Sequence, residues 1–81
     1  MTRWLDDTTD RIARVVGVDP ARVRLADDEA TALLDLAGFA ARDSGERTNA
    51  PLLCHVLGML RGEGVPFDEL VAAVRPPDRP A

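Results

Sequence analysis

Cys54 and His55 are the one cysteine and the one histidine of the chain, and they stand side by side. A thiol next to an imidazole could supply a nucleophile with its base, or two ligands of a metal ion. Adjacent positions on a helix point about 100° apart, so the two side chains do not share a face. A zinc site needs further ligands. A cysteine nucleophile needs its base to meet it across the fold, with a third group to orient that base. Cys54 therefore reads as a small core residue, and His55 as a residue of a helix surface or interface.

Two acidic clusters, Asp6-Asp7-Asp10 and Asp27-Asp28-Glu29, could hold a divalent cation. Neither has the ligand spacing or the central Gly turn of a calcium loop. Both sit where a helix begins, and there carboxylates complement the positive end of the helix dipole. A third candidate is the segment 42–51. Arg42 and Arg47, with Thr48, Asn49 and the N–H groups opening the next helix, could cradle an anion or a nucleotide. The segment lacks the Gly-rich run and the Lys of a Walker loop, and helix capping is the plainer reading. A ligand or partner is nevertheless expected here first, with Arg42, Arg47, Thr48, Asn49 and His55 as its contacts. Asp43-Ser44 invites comparison with an acyl carrier protein, but a carrier's modified Ser opens a helix and is followed by Leu. Here Gly45 follows, and Ser44 closes a predicted helix. No catalytic or metal-binding residue is assigned, and the chain is expected to be no enzyme and to need no cofactor.

The elements that must position these residues are all helical. In 81 residues there is room for one domain, with a core of modest size. Hydrophobic residues make up 46% of the chain but aromatics only 4%, so Leu, Val and Ala fill the core, which suits helices better than strands. The first helix is predicted over 3–16, with Leu5, Thr8 or Thr9, Ile12, Val15 and Val16 as its buried stripe and Gly17 as its stop. Asp19-Pro20 then starts a single helical turn, with Val18, Val23 and Leu25 pinning it to the core. The second long helix begins after Asp27 and ends near Ser44, with Ala30, Leu33, Leu34, Ala37, Ala40 and Ala41 facing inward and Leu36 and Phe39 widening that face.

The third helix carries the clearest signal. Thr48 or Asn49 caps it, Pro51 lies in its first turn, and Leu52, Leu53, Cys54, Val56, Leu57, Met59 and Leu60 leave almost no polar side. A helix that is apolar nearly all round is expected to be buried on most of its circumference, within one chain or across a two-fold interface. Gly58 inside it suggests close packing on a neighbour. The fourth helix starts around Pro66, with Phe67, Leu70, Val71 and Val74 following the helical period, and Pro76-Pro77 stops it. The expected fold is all-α: a compact bundle of four helices with a short extra helical turn after the first, a single domain over 1–75 and a disordered tail over 76–81.

Charge and composition narrow the partners. The net charge is −4 and all ten basic residues are Arg, scattered along the chain, which disfavours a nucleic-acid backbone as partner. A helix-turn-helix reading fails because the candidate recognition helix, Leu52 to Leu60, is apolar where base-reading residues belong. A lone Cys suits a reducing compartment. The N-terminal residues have no apolar run of the signal-peptide kind, and Ala50 to Leu60 is too short to span a bilayer. A cytoplasmic location is expected.

Arg47-Thr48-Asn49-Ala50-Pro51-Leu52, leading to Val56-Leu57-Gly58, resembles the central motif of a small uncharacterised helical domain of actinobacteria. That family opens on a Trp-Leu-Asp element, matched by Trp4-Leu5-Asp6, and carries a Leu-Asp-Leu-Ala segment, matched by Leu34-Asp35-Leu36-Ala37. The likeness covers roughly residues 3 to 75. The chain departs from it at Thr48 and Asn49, where the family more often has Pro and Ala. The family occurs alone or attached to nucleotidyltransferases resembling those that make the guanine-dinucleotide form of molybdenum cofactor, and it brings no established catalytic residues. The motif consists of helix-start and packing residues, so it implies a shared fold before a shared activity. Together with the small size and the lack of a polar constellation, the resemblance implies a non-catalytic accessory or protein-interaction domain linked to molybdenum cofactor biosynthesis. Its partner would be a protein or a second copy, engaged through an apolar patch including Trp4, Met59 or Phe67.

Overall fold

The computed structural model describes residues 3–75, and every regular element in that span is helical. Helix α1 covers Arg3–Val16, a 3-10 turn follows over Pro20–Arg22, and α2, α3 and α4 cover Asp27–Ser44, Asn49–Gly62 and Phe67–Val74. The expected tail over 76–81 lies outside the described residues. Over the described residues the fold is all-α, with four helices and a short helical turn after the first, as the periodicity predicts. None of these helices is long and apolar enough to cross a membrane.

The helix ends follow from local chemistry. Gly17 and Gly45, at φ 80° and 76°, turn the chain out of α1 and α2 through the left-handed region that other residues rarely adopt. The Val18 N–H closes the end of α1 on the Ala13 carbonyl at 2.8 Å. Asp19 caps the 3-10 turn through its Oδ1, which accepts from the Ala21 N–H at 3.0 Å, and Pro20 fills the first helical position. At the start of α2, Glu29 reaches back to accept from the Ala26 N–H at 3.1 Å. At its end, the Ser44 hydroxyl donates to the Ala40 carbonyl at 2.6 Å and accepts from the Glu46 N–H at 3.2 Å. A tight turn opens α3, where the Asn49 and Ala50 N–H groups donate to the Glu46 and Arg47 carbonyls. Thr48 stands at the cap position and makes no side-chain cap bond.

The chain divides into two compact units, the first running to Ala30 and the second beginning at Thr31. In the first unit α1 packs against the 3-10 turn, and the buried residues are Ala13 and Ala30. Arg24, after the turn, pairs with Asp10 of α1. The second unit is built around Leu36, Leu57 and Leu70, one from each of α2, α3 and α4, with Leu33, Leu53, Val65, Val71 and Val74 packed against them. Two guanidinium groups lie over aromatic rings there, Arg61 over Phe67 at 5.0 Å and Arg75 over Phe39 at 5.1 Å from the ring centroid. Arg75 also donates to the Asp35 carboxylate at 2.8 Å.

Five packing expectations are corrected. The stripe Leu5, Ile12, Val15, Val16 of α1 is exposed, and Thr8 and Thr9 are only half-buried. The side of α1 that packs carries Ala13 and the half-buried Asp6 and Asp10, because the 3-10 turn and Arg24 approach from there. Likewise Val18 and Val23 are exposed, and only Leu25 of that trio is half-buried. In α2, Leu36 rather than Leu34 is central. The inward face is rotated toward Leu33, Leu36 and Ala40, which leaves Leu34 in solvent. Finally, α3 is not buried on most of its circumference: Leu57 is buried, Leu53 and Cys54 are half-buried, and Leu52, Val56, Met59 and Leu60 are exposed. A Cβ built on Gly58 meets nothing within 4 Å, so no neighbour packs closely on this glycine.

Candidate functional site

The five expected contact residues belong to the second unit, on and around the α2–α3 connection. Arg42 lies on the last turn of α2, and its guanidinium folds back toward the helix N-terminus. A Cβ placed on Gly38 would stand 3.1 Å from the Arg42 Nη1. Long helical side chains lean in that direction, and here the lean carries the Arg42 charge one turn away from the 45–49 connection. Arg47 and Thr48 are exposed, Asn49 is half-buried and His55 is exposed. The connection is thus held by backbone and Ser44 hydrogen bonds, and Arg42 does not converge on it.

Cys54 is half-buried and His55 points into solvent, as their neighbouring helical positions require. Among the described residues no group of three or more His, Cys, Asp or Glu is placed to hold a metal ion. Asp10 serves a different purpose. Its hydrogen bond to Arg24, and then its charge, hold the guanidinium above its ordinary pKa, with Asp6 and Asp7 adding to the same field.

What α3 does present is a continuous apolar seam. Leu52, Val56 and Met59 follow one another at steps of four and three residues, which places them on one face. They are 63%, 45% and 54% exposed, and Leu60 borders them. Asn49 and Glu63 stand at the two ends of the same face, and His55 at its rim. In the first unit α1 leaves its own apolar face open. Beside it an open apolar hollow of about 230 Å³ is lined by Thr9, Ile12, Ala13, Val16, Val18 and Val23. That volume falls below the range of ordinary small-molecule sites and offers no charged group to orient a ligand.

Reading the sequence for chemistry gives no weight to Leu52 and Val56, since an apolar residue on an apolar helix reads as core. The signal was present in another form. A helix of fourteen residues with almost no polar side presents apolar surface on more than the one stripe that a neighbouring helix covers. Comparison with protein-family models, curated proteins and solved structures finds no match to this chain.

Proposed function

We propose that this chain is a non-catalytic protein-interaction domain that works by burying an exposed apolar helix face against another polypeptide. The observation that carries this reading is the Leu52, Val56, Met59 seam, three large apolar side chains on one face of a folded helix and all exposed. Contiguous apolar surface of this kind marks interaction sites. Its chemistry suits a protein, since a nucleic-acid partner would need Arg or polar base-reading residues along α3. The resemblance carried by Trp4-Leu5-Asp6, Leu34-Asp35-Leu36-Ala37 and the 47–58 motif supports an accessory role beside a nucleotidyltransferase of the molybdenum-cofactor kind, in the cytoplasm of an actinobacterium.

The test is recovery of the tagged chain from its source cells, alongside the Met59→Glu variant. A protein should accompany the unaltered chain in stoichiometric amount, counting a second copy of the chain itself, and Met59→Glu should lose it while keeping its helical circular dichroism. The reading falls if the unaltered chain is recovered alone as a monomer, or if the variant retains the same companion equally well.

A further inference from the structure

We infer that the α3 seam pairs with the same seam of a second copy, the two helices running antiparallel about a two-fold axis at Val56. The inference rests on the interaction-domain reading and names its partner. An isologous interface requires that if residue i meets residue j, then j meets i, so a helix face can pair antiparallel with itself only if its pattern reads alike in both directions from one centre. The α3 face does so around Val56. Leu52 and Leu60 stand four residues to either side and the polar Asn49 and Glu63 seven, while Met59 flanks the centre on one side only, because its counterpart Leu53 packs into the core of its own unit. Antiparallel pairing on that centre sets Val56 against Val56, Leu52 against Leu60, and the Asn49 amide against the Glu63 carboxylate.

The ends of the face decide the direction. A parallel pair would bring two Glu63 carboxylates together at one end, a like-charge contact. Reversing one helix puts each carboxylate beside a side-chain amide that can donate to it, at the positive end of the partner's helix dipole and near the exposed Arg47. The flanks do not oppose the approach. Gly58 and Gly62 lie away from the seam, and the Arg61 guanidinium is drawn off over the Phe67 ring. His55 sits at the rim, so the two imidazoles flank the axis on opposite sides.

A seam of four apolar residues per copy is small, and small interfaces belong to weak, exchanging complexes. Sedimentation of the full chain over a wide concentration range should show a reversible monomer–dimer equilibrium. Val56→Glu should weaken association at least about tenfold, since it sets two like charges on the axis, and Gly58→Ala should leave it unchanged. For geometry, Val56→Cys in a Cys54→Ser background should oxidise to a covalent dimer, whereas Val15→Cys on α1 should not.

A chain that stays monomeric throughout, or a dimer indifferent to Val56→Glu, overturns the inference. So does equal cross-linking at Val15 and Val56. A monomeric chain that still recovers a different protein, lost with Met59→Glu, sinks the second copy and leaves the interaction-domain reading standing.

Discussion

Leu36 is 1% exposed at the centre of the second unit, where it meets Leu57 and Leu70. Truncation to Ala removes buried methyl groups and leaves a void that three short helices close only in part. Leu36→Ala should therefore destabilise the fold by about 2–5 kcal/mol, lowering the thermal midpoint by ten degrees or more or unfolding the chain outright. Val15→Ala on α1, 81% exposed, should change stability by less than about 0.5 kcal/mol. Parallel melts followed by circular dichroism separate the two, and similar losses would contradict the burial described. Neighbouring helical positions already indicate that Cys54 and His55 diverge. Which of Leu34 and Leu36 faces inward is harder to read, because a two-residue step on a helix is a rotation of about 200° and both lie near apolar neighbours.

Helix ends reflect local rules, and those rules could be read directly: Gly17 and Gly45 stop their helices, Asp19 caps the 3-10 turn, and Pro51 lies in a first turn that needs no N–H from it. What covers each face is decided by distant residues, and there periodicity misled. The stripe on α1 is real, yet the helix packs through Ala13 and pairs through Asp10. Gly58 was expected to admit a neighbouring helix and instead faces open space. Gly58→Ala should then stabilise the chain by about 0.5–1 kcal/mol, because Ala is the better helix former and its methyl meets nothing. Gly64, at φ +100° beyond the end of α3, is the contrasting position. Gly64→Ala should destabilise by more than about 1 kcal/mol, since the side chain would force the turn into a strained region. Urea titrations of both variants give the check, and a Gly58→Ala loss would mean that a neighbour packs there.

Five buried hydrophobic side chains are a slender core for the described residues, so intrinsic stability should be a few kcal/mol. That makes the whole molecule sensitive to whatever occupies the α3 seam. The all-α class could be read in advance because helical period, capping and Gly stops agree along the chain. The open seam could not, because sequence fixes how apolar a helix is and leaves open how much of it a small set of neighbours can cover. Association through that seam, as proposed above, would add stability by mass action. For a domain of this size, coupled dissociation and unfolding should raise the thermal midpoint by roughly 3–5 °C for each tenfold rise in chain concentration. Val56→Glu should flatten that dependence, while Trp4→Ser on α1 should leave it intact. Salt should act in a definite direction too. Each chain carries a net charge of −4, so two copies repel, and added salt screens that repulsion without weakening the apolar contact. The concentration-dependent midpoint should therefore rise modestly with sodium chloride, and a steep fall would mean that charge pairs hold the copies together.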